Sequence, residues 1–130
     1  MLVFDSEPLV GYFRGEPSAA ATAKLLEQVD SGKEVGTLST VNAAEVFYVL
    51  HRISPAMAEE KMRRLQAWRM RFQSTDAVWR EAAKIKASTA IPLGDAYALA
   101  TAVILRGVLV CSRDSHLRRA AGSRVRLHVV

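Results

Sequence analysis

The chain contains a single cysteine, Cys111, so no internal disulfide can form and no cluster of thiolates can hold a metal. Its three histidines, His51, His116 and His128, are dispersed, and without a His-Glu-x-x-His helix or a Cys/His set zinc chemistry has no support. None of the seven glycines builds a phosphate-cradling loop, and no Gly-x-Ser-x-Gly elbow offers a nucleophile, so a covalent hydrolase lacks its signature. Long hydrophobic runs are missing too. Charge interrupts every apolar stretch well before the roughly 20 residues that a membrane span needs. The N-terminus reaches Asp5 with neither a basic segment nor a signal-type stretch. A soluble, cytoplasmic protein is expected, and the setting of Cys111 after Val108-Leu109-Val110 suits a buried thiol in a reducing compartment. Acidic residues are in deficit, with 13 Asp and Glu against 18 Lys and Arg; the net charge of +5 favours a polyanionic partner such as nucleic acid.

What the chain does have is an ordinary apolar fraction in an unusual relation to its acids. At 130 residues, half of them apolar, one domain with one globular core is expected, without linker, repeat or low-complexity tract. Four carboxylates interrupt or close the apolar stretches: Asp5 after Met1–Phe4, Glu45 within 41–50, Asp95 within 91–105, and Asp114 shortly after Gly107–Cys111. Taking a carboxylate out of water costs several kcal/mol unless it is paired or bound to a cation, so four such placements ask for a common explanation.

Strand and helix patterns alternate along the chain. Residues 1–4 form a short strand followed by a brief helix over 7–13, and Pro17-Ser18 opens a second helix that Ser31-Gly32-Lys33 stops. A strand over 35–39 precedes a helix capped by Thr40 or Asn42 and running to about Leu50. Ser54-Pro55 then caps and opens the next helix, with Ala58, Met62, Leu65, Trp68 and Phe72 on one face. A very short strand at 72–74, a helix to about Ser88 with Val78, Ala82 and Ile85 inward, and a turn at Pro92 lead to a helix over 95–105 that Gly107 ends. Residues 108–112 are the most strand-like run, 113–121 read as helical, and 124–130 as a closing strand. Such alternation predicts parallel strands with helices on both faces, and sites that collect at the carboxyl ends of the strands. All four acids can then meet at one edge.

Two ionised carboxylates about 5 Å apart repel by roughly 3 kcal/mol at an effective dielectric near 20, so the cluster needs protons or a cation. All-oxygen ligation suits Mg²⁺ or Mn²⁺, and this arrangement supports phosphodiester hydrolysis by metal-bound water.

Asp5 after a hydrophobic strand, Asn42-Ala43-Ala44-Glu45-Val46, Gly94-Asp95-Ala96-Tyr97-Ala98-Leu99-Ala100 and Cys111-Ser112-Arg113-Asp114 together resemble the ordered acidic motifs of PIN-domain ribonucleases over nearly the whole chain. The short, undecorated form most resembles VapC-type toxins of toxin–antitoxin pairs. The resemblance implies a single PIN-like α/β domain over residues 1–130, with a central, mainly parallel twisted sheet and helices on both faces. It also implies Mg²⁺- or Mn²⁺-dependent endoribonuclease activity, a homodimer and a small cognate antitoxin. Carried over by position, Asp5, Glu45, Asp95 and Asp114 are the catalytic, metal-holding acids. Ser112 takes a supporting hydrogen-bonding role, and the hydroxyl or backbone of Ser6 orients the Asp5 carboxylate. Glu7-Pro8 departs from the small or apolar pair usual after the first Asp, and His116-Leu117 from the usual acidic or aromatic tail.

Each acid also has an ordinary reading. Asp5 suits a strand-end turn, Glu45 a pair with Arg52, Asp95 the positive end of a helix, and Asp114 a helix cap. Arg63, Arg64, Arg69 and Arg71 fit a solvated helix face. Near the C-terminus Arg106, Arg113, Arg118, Arg119, Arg124 and Arg126 face a single acid, and Arg113, Arg118 and Arg119 are the candidates for RNA contact. Trp68 and Trp79 fit apolar stripes and are expected in the core, and an apolar helical surface around Phe47, Leu50, Met62 and Leu65 is a candidate antitoxin face. Two other classes compete. A haloacid-dehalogenase-like phosphatase would use Asp5, Ser39 or Thr40, Lys84 or Lys86 and Asp95, but wants a second Asp where Glu7 stands. A non-catalytic RNA- or protein-binding domain would leave the acids inert.

Overall fold

A computed structural model describes residues 1–113 and 115–130. Its elements are β1 (Leu2–Phe4), α1 (Ser6–Phe13), α2 (Ala19–Asp30), β2 (Gly36–Ser39), α3 (Thr40–Ile53), α4 (Pro55–Ala67), β3 (Arg71–Gln73), a 3₁₀ turn (Thr75–Ala77), α5 (Trp79–Ser88), α6 (Leu93–Leu105), β4 (Val108–Cys111), α7 (Leu117–Ala121) and β5 (Leu127–Val129). The five strands form one parallel sheet in the order β3-β2-β1-β4-β5. The expected α/β architecture is therefore present.

Side-chain alternation along the strands explains why both faces need helices. Leu2 and Phe4 of β1 and Val110 of β4 join Leu9, Leu26, Val46, Leu50 and Leu65 in the core beneath α1 to α4. Val3, Leu109 and Cys111 point the other way and pack with Ile85, Leu99 and Leu117 of α5, α6 and α7. Strands buried on both faces read as unbroken apolar runs, as residues 1–4 and 108–111 do.

Boundaries follow local chemistry. The cap of α3 is Ser39, whose hydroxyl accepts from the Asn42 backbone N–H at 3.0 Å; Thr40 and Asn42, the expected caps, already lie inside the helix. Ser54 caps α4 as expected, with Pro55 opening the helix. That helix stops at Ala67, so Phe72 is not on its face: Arg69 turns the chain at φ 63°, and Phe72 pairs with Leu38 in the sheet. The left-handed residue that ends α6 is Arg106, at φ 55°, and not Gly107. Gly107 serves packing instead, since a β-carbon there would lie 2.9 Å from Val3 Cγ2 and 3.2 Å from the Met1 carbonyl. Of the predicted helix over 113–121, α7 is found, while residue 114 lies outside the described residues; the closing strand contracts to β5.

Two expectations about apolar residues are corrected. Trp68 packs against the first core, but Trp79 opens α5 with 46 % of its surface exposed and the Arg80 guanidinium 4.5 Å from its ring. The apolar surface expected around Phe47, Leu50, Met62 and Leu65 is closed, because α3 and α4 pack on each other, bury Leu50 and Leu65, and leave Phe47 and Met62 half-buried. Among the described residues, no helix is long and apolar enough to cross a membrane.

Candidate active site

The chain order of the sheet sets the location. From β1 the chain runs outward to β2 and β3, then crosses back to β4 and β5, so the β1/β4 junction is where the winding reverses and a crevice opens beyond the strand ends. Asp5 follows β1 there and is held by its backbone N–H donating to the Val110 carbonyl at 3.0 Å. It occupies the N-cap position of α1, yet its side chain makes no capping bond. Only 1 % of its surface is exposed, and Oδ1 has no hydrogen-bond partner among the described residues. The strand-end turn reading does not explain a buried carboxylate oxygen left unpartnered, a state that is costly without a cation or a proton.

Glu45 is brought to the same end of the sheet by α3, nearly two turns past its Ser39 cap. Three groups arrange it. The Asn42 side-chain amide donates to Glu45 Oε1 at 2.9 Å and to the Gly94 carbonyl at 3.0 Å, and the Ser6 hydroxyl donates to the same Oε1 at 3.2 Å. Ser39 completes the relay by donating to Asn42 Oδ1 at 2.5 Å. Arg52, the alternative partner, instead lies 4.9 Å from the Tyr48 ring centre, and none of the ion pairs among the described residues uses Glu45.

Asp95 sits in the first turn of α6, where the positive end of the helix faces it, and is half-buried. Its neighbour Gly94 lies directly against the Glu45 carboxylate, closer than any β-carbon could stand. Glycine at 94 is thus the condition for α3 and α6 to place their acids side by side.

The electrostatics record the convergence. Burial first, then the charge of Asp95, pushes the Asp5 carboxyl up to about 8; Glu7 and Glu45 add to the rise, against a hydrogen bond from the Ser6 backbone that lowers it. Burial, then Glu45 and Glu7, pushes Asp95 up to about 6, against His116, which lowers it. Burial and Asp5 together raise the Cys111 thiol to about 11, so it stays protonated behind the site.

Three of the four predicted acids, Asp5, Glu45 and Asp95, therefore lie near enough for charge on one to raise the proton affinity of another; Asp114 lies outside the described residues. Ser6 serves Asp5 through its backbone, one of the two expected ways, while its hydroxyl goes to Glu45. Ser112 at the end of β4 donates its hydroxyl to Glu7 Oε2. Glu7 is the residue that sequence reasoning missed: a departure from the expected motif, it adds a fourth described carboxylate whose charge reaches Asp5 and Asp95. Its position two residues after Asp5 is the signal that points to it. Asn42 is likewise more than the possible cap that its residue type suggests, and its i, i+3 spacing to Glu45 puts both on one helix face.

The family model for the PIN domain matches residues 2–123. The chain belongs to the PIN domain family. No curated protein matches it. PIN domains are nuclease-type domains and generally use divalent metal ions. The donor set here fits such an ion in kind, being all oxygen, partly buried and under mutual repulsion, with Asp5 Oδ1 unpartnered. Among the described residues, however, no three His, Cys, Asp or Glu side chains form a group that could hold a metal ion on their own. Within this PIN domain, coordination completed by water and substrate oxygens suits that open arrangement, as is usual for Mg²⁺.

Proposed function

We propose that this PIN domain is a metal-dependent endoribonuclease that hydrolyses RNA phosphodiester bonds, acting in the cytoplasm as the toxin of a toxin–antitoxin pair. The observation that carries the nuclease reading is the buried, unpartnered Asp5 carboxylate facing Asp95, Glu7 and Glu45. In this reading Asp5, Glu45, Asp95 and Asp114 hold Mg²⁺ or Mn²⁺, directly or through water. The bound ion lowers the proton affinity of water and offsets charge on the phosphate oxygens.

The remaining chemistry belongs to the chain. Asn42 and Ser6 both donate to Glu45 Oε1 and fix that carboxylate, and Ser112 donates to Glu7. In this reading the attacking group is water and no side chain acts as a covalent nucleophile; the buried Cys111 remains a thiol. The phosphatase alternative lacks its second Asp, because Glu7 occupies that position, and one of its two candidate lysines, Lys86, donates to the Ile91 carbonyl at 2.9 Å.

Incubating the protein with RNA in Mg²⁺, Mn²⁺ or EDTA tests the reading. Internal cuts that EDTA stops and that Asp5→Asn abolishes are expected. RNA binding without any cut would favour the non-catalytic alternative. The toxin assignment, the antitoxin and a homodimer rest on the motif resemblance; co-expression with the product of an adjacent small reading frame, and the mass of the purified protein in solution, test them.

A further inference from the structure

An open cleft of about 730 Å³ lies between α1, the start of α2 and the carboxyl ends of β4 and β5. It adjoins the acids, because Glu7 stands on its wall and the charge of Glu7 reaches both Asp5 and Asp95. Ser112, which donates to Glu7, and Arg113 form the wall at the end of β4, the strand whose Val110 carbonyl holds the Asp5 backbone. Val10, Ala21 and Val130 add apolar surface.

The turn that ends α1 builds the far wall. The Glu16 backbone N–H donates to the Gly11 carbonyl at 2.9 Å, and the Glu16 carbonyl accepts from Ala19 at 2.9 Å. The Glu16 carboxylate lies back along α1, where a β-carbon at Gly11 would stand 3.0 Å from Oε2. Its other oxygen, Oε1, is 3.9 Å from the Arg14 guanidinium. Both side chains are about half exposed, at 50 and 47 %, and an ion pair so open to water contributes little to stability. The pair therefore presents donors and acceptors side by side to the cleft, at little cost if a ligand takes over either partner.

Charge decides what kind of ligand fits. Among the described lining residues Glu7 and Glu16 balance Arg14 and Arg113, so the cleft favours neither a bare phosphate chain nor a cation. An uncharged, flat group with both hydrogen-bond donors and acceptors suits it, and the nucleobases are such groups. Guanine alone among the four RNA bases offers a carboxylate two adjacent N–H groups, at N1 and N2, and offers a guanidinium the acceptors O6 and N7. We propose that this cleft is a guanine subsite, in which Glu16 and Arg14 read an unpaired guanine of the RNA beside the bond that is cut. The base must be unpaired because a duplex already uses its Watson–Crick edge. This inference rests on the nuclease reading and names a feature of its substrate.

The test measures binding, in EDTA to suppress cleavage, of octauridine and of the same oligomer carrying one internal guanosine, inosine or adenosine. Wild type is compared with Glu16→Gln, Arg14→Gln and a control, Glu27→Gln, an exposed charge farther along α2. All three positions are at the surface, so the folds are expected to stay intact, which circular dichroism verifies. Wild type should bind the guanosine oligomer at least tenfold more tightly than the adenosine and all-uridine ones, with inosine, which lacks the 2-amino group, between them. Glu16→Gln should weaken guanosine binding to the level of inosine, although loss of a negative charge by itself strengthens binding to RNA. Arg14→Gln should weaken guanosine and inosine alike, and the control should stay within twofold of wild type throughout. Equal binding of the four oligomers, a guanosine preference that survives either cleft substitution, or a loss in Glu16→Gln that is the same for every oligomer overturns the proposal. Cleavage by wild type in Mn²⁺ is read separately. Guanine-selective binding without cuts removes the nuclease reading and keeps the subsite, whereas cuts that ignore guanosine overturn the subsite and keep the nuclease.

Discussion

Gly94 and Glu45 stand so close that a single added methyl group at 94 would occupy the space of the Glu45 carboxylate. The atom displaced is the tip of a flexible side chain, so the fold can yield while the site cannot. Gly94→Ala is therefore expected to change thermal stability little, the lost space being offset by the helix propensity of Ala, about 1 kcal/mol better than Gly. It should lower metal-dependent RNA cleavage at least tenfold. Melting curves and cleavage rates on the same preparation check both halves, and unchanged cleavage would remove the importance assigned to this contact.

The pH dependence of the metal-free protein follows from Asp5. The fold keeps its carboxyl protonated up to about 8, while the unfolded chain releases that proton near its ordinary value of 3.8. Within that window the folded state binds more protons, so stability falls as pH rises. Asp95, raised to about 6, contributes in the lower part of the window. Asp5→Asn removes the larger part, each tenfold difference in proton affinity between the folded and unfolded chain being worth about 1.4 kcal/mol. In EDTA the variant should therefore be more stable than wild type at pH 8 by a few kcal/mol, and nearly equal to it at pH 4. Denaturant titrations at the two pH values decide this; a wild type that gains stability toward pH 8 contradicts the burial argument.

Divalent cations should reverse that trend. Mn²⁺ binds the ionised carboxylates, so it should raise the melting temperature of wild type most at pH 8 and that of Asp5→Asn far less, by the linkage of ligand binding to folding. Calorimetry with Mn²⁺ and EDTA arms reads the difference, and equal rises in the two proteins would place the ion elsewhere.

Asn42→Ala removes the amide that joins Glu45 to the Gly94 carbonyl and leaves Ser39 without its side-chain acceptor. Loss of such a buried network should cost about 1–3 kcal/mol of stability and much of the cleavage activity. Ser39→Ala isolates the capping part, worth about 1 kcal/mol. Similar activity losses in both variants would show that the amide acts only through the helix start.

Glu7→Gln keeps an oxygen able to accept from Ser112 but removes the negative charge that reaches Asp5 and Asp95. Cleavage is expected to persist with a severalfold higher Mn²⁺ requirement, measured as the concentration giving half-maximal rate. An unaltered requirement would make Glu7 a bystander.

The sequence by itself determined the fold class and most of its elements, because apolar runs and caps are local. Residues 1–4 and 108–111 could bury both faces only inside a parallel sheet, and Ser54-Pro55 could only open a helix. It also determined which carboxylates were anomalous, since an acid within an apolar stretch is visible in one dimension. Tertiary structure decided what those acids touch. That Asn42 bridges α3 to α6, that Gly94 makes room for Glu45, and that Glu7 faces Ser112 across 105 positions of chain depend on how helices settle on the sheet. So does the fate of apolar residues on amphipathic helices: Trp79 and the Phe47–Leu65 patch share a similar periodicity, yet only packing between α3 and α4 buries the latter. Periodicity specifies a face, while the neighbour that covers it, and the charge that reaches it, come from contacts far apart in the chain.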